Sequence, residues 1–212
     1  MNVHQVLWDW NGTLLDDLSY AFSVRNRIFP MFGLASVESL EQYYSQFTFP
    51  IRLYYERAGV TEQNFDAVAK AWMNEYVRGC AAIPLHNDAL ETLERFQKAG
   101  LKQVVLSASS LDVLKKQLAY YPLAGYFAEV LGLSDIYARS KEAIGCGYLQ
   151  GCGIAAENTV MLGDCLHDAD VARAMGVRCA LIARGHQSKQ TLLEAGVPVL
   201  DSLAQAADWV LA

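Results

Sequence analysis

The sequence predicts an α/β fold: a doubly wound, mostly parallel sheet with an inserted helical domain. Two features predict it. From Pro84 onward short apolar runs alternate with amphipathic stretches, the texture of strand–helix–strand units that assemble into a parallel sheet. Before that, residues 16–83 change to helical periodicity and hold 13 of the 23 aromatic residues in about a third of the chain. The expected division is a core of residues 1–15 and 84–212, interrupted by a helical domain of residues 16–83.

Each element has its own signal. Residues 3–8 are an apolar run that reads as a strand. After Asp17, the side chains of Leu18, Ala21, Phe22, Ile28, Phe29 and Phe32 fall on one helical face. Helical texture returns over residues 50–58 and 65–77, and the aromatic residues of this block are expected to build its own core. Further on, residues 101–107, 158–164, 177–184 and 197–201 read as strands, with a weaker one over 128–133. Amphipathic stretches over 87–98, 111–120, 141–150, 168–175, 189–194 and 203–211 separate them. Gly100, Gly153 and Gly176 sit where helices stop. In such a sheet ligands bind at the carboxyl ends of the strands.

Just over half of the 212 residues are hydrophobic and 19% are charged, the profile of a protein with a sizeable core. The formal net charge of −6 leaves no basic surplus for a nucleic-acid backbone. A small phosphorylated molecule, which needs only one or two local cations, stays possible. No stretch approaches the roughly 20 apolar residues that span a bilayer. The opening MNVHQV lacks the basic n-region and apolar run of a signal peptide. Cys80, Cys146, Cys152, Cys165 and Cys179 are odd in number and lack CxxC spacing, as expected of reduced thiols in a cytoplasmic protein. No motif speaks to the oligomeric state.

Four polar features fall at strand ends or helix starts. They are Asp9 with the Asn-Gly-Thr turn behind it, Ser107, Lys141, and the Asp164 and Asp168 pair of GDCLHD. Singly each has an ordinary explanation, since a strand-end Asp or a Ser of SASS caps a following helix well. Together they suit one chemistry. Two carboxylates at neighbouring strand ends bind Mg²⁺, which prefers one or two carboxylates with water and phosphate oxygens. Asp9 can attack phosphorus and form an aspartyl-phosphate. A carboxylate approaching a phosphate dianion meets repulsion on the order of 10 kcal/mol at about 3 Å and an effective dielectric of about 20, so a cation is needed. A lysine and a hydroxyl then hold the phosphoryl oxygens, and turn N–H groups after Asp9 add a nest for negative charge.

The set DWNGTLL, VVLS, Lys141 in RSK and GDCLHD resembles the four motifs of the haloacid dehalogenase superfamily of phosphohydrolases, in the same order and over nearly the whole chain. The helical block lies where that superfamily carries its cap. The resemblance implies a Rossmann-like core with a helical cap, nearest in layout to phosphoglycolate-phosphatase-like and phosphoglucomutase-like enzymes. It implies that Asp9 is the nucleophile, Thr13 the turn residue of the first motif, Ser107 the phosphate-binding hydroxyl and Lys141 the neutralising lysine. It makes Asp164 a direct metal ligand, and Asp168 the second acid, ordering metal-bound water or the lysine. The metal set is then Asp9, Asn11 through its backbone carbonyl, Asp164 and Asp168. The expected substrate-binding set is Gly12, Ser107, Ala108, Lys141 and Arg52.

The chain departs from the pattern at Asn11, where the family's phosphatases usually carry Asp as general acid for the leaving oxygen and base for water. An amide cannot shuttle a proton near neutral pH. General acid–base catalysis is worth about 10²- to 10⁴-fold, or roughly 3–5 kcal/mol of barrier. The expectation is an enzyme slow on ordinary alkyl phosphates, one whose substrate has a good leaving group, or one that takes its acid from Asp16, Asp17 or His186. Asn-Gly is also a favourable tight turn in its own right.

The acids of GDCLHD and the NGT turn favour the metal-dependent branch over the dehalogenating one. The only cap lysine, Lys70, sits late on a helix, against imine chemistry on a carbon–phosphorus bond. Arg52, with Pro50 at the first helical turn, and Arg25 are the candidates to hold an anionic substrate group. Cys165 reads as a buried, inert thiol. The expected activity is Mg²⁺-dependent hydrolysis of a small phosphorylated metabolite, phosphoglycolate-like or a sugar phosphate. Phosphoryl transfer to another hydroxyl, and phosphometabolite binding without turnover, are the alternatives.

Overall fold

Six parallel strands form one sheet in a computed structural model that describes residues 2–137 and 140–212, so Arg139 of the RSK motif lies outside the described residues. The strands are β1 (Gln5–Trp8), β2 (Lys102–Ser110), β3 (Glu129–Leu133), β4 (Thr159–Gly163), β5 (Arg178–Ile182) and β6 (Val199–Leu200), in the order β3-β2-β1-β4-β5-β6. Helices α1 (Leu18–Ile28), α2 (Leu40–Gln46), α3 (Ile51–Arg57) and α4 (Phe65–Gly79) come between β1 and β2 in the chain. The remaining helices are α5 (Ala89–Lys98), α6 (Leu111–Leu118), α7 (Glu142–Gly151), α8 (Leu166–Met175), α9 (Lys189–Leu192) and α10 (Leu203–Leu211).

β1 is central, with Trp8 level with Val105 on one side and Leu162 on the other. All four of its residues are buried, as expected of a parallel strand covered on both faces. Val6, Trp8, Val160 and Leu162 face a core closed by Phe96 of α5 and Leu203 of α10, while Leu7 and Met161 face a second core closed by α8. The polar edge of Trp8 is satisfied inside: Nε1 donates to Gln103 Oε1 (3.0 Å), whose amide donates to the Leu93 carbonyl (2.9 Å).

Two differences from the sequence reading matter. Helix α2 is absent from the periodicity because only one of its seven residues, Tyr43, is buried. Its signal is Ser39-x-x-Gln42: Ser39 Oγ accepts from the Gln42 N–H (3.2 Å), and Gln42 Oε1 accepts from the Glu38 N–H (2.7 Å). Strand β2 runs past Ser107 to Ser110, but its pairing with β3 shifts register between Leu106 and Ser110. Such interruptions re-aim side chains at strand ends, and here Ser107, Ala108 and Ser109 are the residues affected.

The chain crosses between the sheet and helices α1–α4 twice, side by side. Leu15 bridges Leu85, the Asp16 N–H donates to the Pro84 carbonyl (3.0 Å) and the His86 N–H to the Leu14 carbonyl (3.0 Å). Within the helical block α1 packs on α4, and Phe29, Tyr54, Tyr55 and Phe65 meet through tilted and edge-on ring contacts. Among the described residues no helix is long and apolar enough to cross a membrane.

Candidate active site

The carboxyl ends of the strands gather a buried polar cluster. Asp9 follows β1, Asp164 follows β4, His186 lies beyond β5, Lys141 precedes α7 and Asp168 sits in the first turn of α8. Lys141 is only 1% exposed, and its ammonium contacts Asp9 Oδ1 and lies 2.7 Å from Asp168 Oδ1. A buried ammonium survives because two carboxylates replace its water. Asp168 Oδ2 accepts from the N–H groups of Asp164 (3.0 Å) and Cys165 (3.1 Å) and from the Cys165 thiol (3.0 Å). Both its oxygens are therefore occupied by the chain, and Asp168 orders Lys141 and the β4–α8 turn.

Asp9 and Asp164 meet across Thr13, whose hydroxyl is 3.3 Å from Asp9 Oδ2 and 3.4 Å from Asp164 Oδ1. Asp164 Oδ2 accepts from the His186 N–H (2.6 Å). Backbone has to pass close to this carboxylate. A Cβ on Gly12, which also has φ +73°, would stand 2.4 Å from Asp164 Oδ2, and one on Gly185 1.9 Å from it. Only glycine fits either place.

A second network adjoins the first. Asp17 Oδ1 accepts from the Gly12 N–H (2.7 Å) and from His186 Nε2 (3.1 Å), and Oδ2 from the Tyr76 hydroxyl (2.6 Å) and the Asn11 amide (2.8 Å). Asn11 Oδ1 accepts from the Ser109 hydroxyl (2.8 Å), and its Nδ2 is 2.7 Å from Tyr76 Oη. His186 Nδ1 is 2.9 Å from Tyr43 Oη. Asn11 thus fastens the end of β1 to the helical block.

The charges do not balance. Asp9, Asp17, Asp164 and Asp168 are all buried, against two buried cationic groups, Lys141 and His186. Burial would raise Asp168, but Lys141 holds it below the usual carboxylate range. Burial would likewise raise Asp17, but His186, with Tyr76 and Asn11, holds it down. In return Asp17 lifts His186 to about 9, against a burial effect that would lower it. The remaining two acids lack a full partner. Burial lifts Asp9 to about 6 although Lys141 pulls it down, and lifts Asp164 to about 8 although His186 pulls it down. Two facing oxygen ligands short of positive charge fit a hard divalent cation. The Cys165 thiol lies within 4.8 Å of the carboxylate oxygens of Asp164 and Asp168. Burial pushes it well above its ordinary range, so it stays an inert thiol.

These groups line a cavity of ≈ 140 Å³. Asp9, Asn11, Ser107, Ala108, Lys141, Asp164 and Asp168 all reach it, and so do Asp17 and His186. Other expected residues do not. Arg52 is 47% exposed and pairs with Glu56 (3.3 Å) and Glu62 (3.2 Å), away from the acids. Arg25 is buried but spends its guanidinium on the Ala35 carbonyl, Gln46 and the Phe29 ring. Asp16 points outward near His86, and Lys70 is exposed on α4. Ser109, Tyr43 and Tyr76 were not anticipated. The aromatic residues of the helical block are buried in one cluster continuous with the core on that side of the sheet, not in a core of their own as expected, and Phe47, Phe49, Tyr54, Phe65 and Trp72 also line the cavity.

The model of the haloacid dehalogenase-like hydrolase family matches residues 6–182. Phosphoglycolate phosphatase 1 of Pseudomonas aeruginosa is 23% identical over 210 residues, covering 93% of this chain and 76% of its own. A predicted phosphatase from Clostridium acetobutylicum superposes with a TM-score of 0.86 at 20% identity over 99% of both chains. A haloacid dehalogenase-like hydrolase of Streptococcus pneumoniae does so with 0.85 at 16% identity over 98% of both. At these identities the structural likeness speaks for the fold alone.

The Asn11–Asp17 contact generates a stability prediction. Asn11→Asp sets a second carboxylate against Asp17 and destabilises by about 1–3 kcal/mol near neutral pH. Adding Asp17→Asn restores a donor–acceptor pair and recovers part of the loss. Urea unfolding of the two single variants and the double variant measures the coupling; simple additivity would contradict it.

Proposed function

The chain belongs to the haloacid dehalogenase-like hydrolases and is a phosphatase among them, and on that premise we propose that it hydrolyses a small phosphomonoester with Mg²⁺ through an aspartyl-phosphate on Asp9. The observation that carries this reading is the shared contact of Lys141 with Asp9 and Asp168, beside an Asp9–Asp164 pair short of positive charge.

Asp9 and Asp164 would hold the Mg²⁺, with the backbone carbonyl of Asn11 as the third protein ligand; Asp168 positions Lys141 instead. When bound, the cation neutralises charge on the phosphoryl oxygens and lets a carboxylate approach them. Lys141 holds a phosphoryl oxygen, and Ser107 and the N–H groups around Ala108 support the others, while the Gly12 N–H stays with Asp17. Asp9 attacks phosphorus as the ester oxygen departs, and water then attacks the aspartyl-phosphate, releasing inorganic phosphate and the free carboxylate. Residues 16–83 are read as a cap. The paired crossings at Leu15 and Leu85 support movement of that cap as a unit, which excludes bulk water during the reaction. Phosphoglycolate is the substrate named for the Pseudomonas relative; for this chain the proposal here is the wider class.

Two outcomes follow. Phosphate release from a panel of small phosphomonoesters with Mg²⁺ is abolished by EDTA and falls at least about 10³-fold in Asp9→Asn; equal rates in wild type and variant would sink the reading. Metal affinity has a definite pH sign. Asp9 and Asp164 are protonated more readily than ordinary carboxylates, at about 6 and about 8, and protons compete with the metal. The Mg²⁺ dissociation constant should therefore fall by roughly tenfold or more between pH 6 and pH 8. Calorimetric titration at both pH values checks it, and a flat profile would contradict the assignment.

A further inference from the structure

The cavity has two kinds of wall. Its acidic end is the polar cluster, and the rest is supplied by Phe47, Phe49, Tyr54, Phe65, Trp72 and Met73 of the helical block. Its volume, acidic end included, is ≈ 140 Å³, against about 150 Å³ for an apolar cavity that holds one benzene ring in another protein, so it has room for one ring at most. No arginine or lysine of the helical block lines it among the described residues. Arg25 and Arg52 are committed elsewhere, Lys141 lies between Asp9 and Asp168, and both ring nitrogens of His186 are occupied. The ring of His167 lies flat on Phe49, with centroids 4.7 Å apart and 13° between planes. Among the described residues a substrate carboxylate meets no free guanidinium or ammonium here, only the unpartnered Nε2 of His167, whereas an apolar ring meets aromatic side chains on several sides.

Asn11 supplies an independent observation. Its amide donates to Asp17 and its carbonyl oxygen accepts from Ser109, so it offers the departing oxygen no acidic proton. An alkoxide, with a conjugate acid near that of water at about 16, departs poorly without one. A phenoxide, whose conjugate acid is near 10, departs with far less help.

We infer that the substrate is an aryl phosphate, a phosphomonoester of a single-ring phenol, with the ring among the cap aromatics and the phosphoryl group at Asp9. This rests on the phosphatase reading above and narrows it. The Asp9 O–P bond forms as the P–O(aryl) bond breaks. The phenoxide leaves with the electron pair and takes its proton from solvent. Water then attacks phosphorus and returns the Asp9 carboxylate and inorganic phosphate.

The test compares kcat/KM with Mg²⁺ for phenyl, benzyl and ethyl phosphate, phosphoglycolate and phosphocholine. Phenyl and benzyl phosphate share a ring and differ in leaving group, so phenyl phosphate should lead by about 10²-fold or more. Benzyl and ethyl phosphate share an alkoxide and differ in the ring, so benzyl should lead by about tenfold. Phosphoglycolate matching phenyl phosphate would overturn the inference while leaving the phosphatase reading intact. A lead for phosphocholine would also overturn it, assigning the aromatics to a quaternary ammonium. If no ester is hydrolysed, the phosphatase reading fails, and binding decides the ligand class. Calorimetry should then find benzylphosphonate bound at least about tenfold more tightly than 3-phosphonopropionate; equal or reversed affinities would overturn the inference.

Discussion

Four aspartates buried at one end of a parallel sheet are the constraint on which the rest of this structure depends. Burying a carboxylate is costly unless a cation or several donors replace its water. The fold meets that cost unevenly. Lys141 is drawn in to serve Asp168, and His186 is drawn in to serve Asp17. Glycine stands at positions 12 and 185 so that backbone can pass against Asp164. Asp9 and Asp164 are left raised and facing each other across Thr13. A protein that only had to fold would gain from replacing them, which supports the proposed site for a cation and a phosphoryl group.

Much of this was legible in the chain because it is local or periodic. The strands announce themselves as apolar runs, and Asp9, Ser107, Lys141 and Asp164 stand out because each sits where such a run ends or a helix begins. Helix α2 escaped because a single buried residue, Tyr43, leaves no apolar period to read, although its capping serine and glutamine are visible in the chain. Arg52 was expected near the substrate from its place at a helix start. The i,i+4 partner Glu56, equally visible, is what turns it outward. What periodicity cannot show is pairing at a distance. Asp17 and His186 are 169 residues apart in the chain and meet only because β1 and β5 end on the same rim of the sheet. Likewise, helical spacing shows that the cap aromatics are buried without telling a core contact from a cavity wall.

Asn11 connects these levels. Its side-chain amide ties Asp17, Tyr76 and Ser109 together across the boundary between sheet and helical block. An acid there would face Asp17. An amide there offers no acidic proton and supplies a neutral link between the two halves of the site. A leaving group that needs no proton and a cavity that suits an aromatic ring are compatible consequences of the same arrangement.

The central claim is that Asp9 carries the phosphoryl group. Acid quenching within the first turnover on ³²P-labelled phenyl phosphate, followed by peptide mapping, tests it most directly. The account predicts a Mg²⁺-dependent, hydroxylamine-labile label on the peptide containing Asp9, absent from Asp9→Asn. Turnover with no label at any time, or a label on another residue, would contradict it.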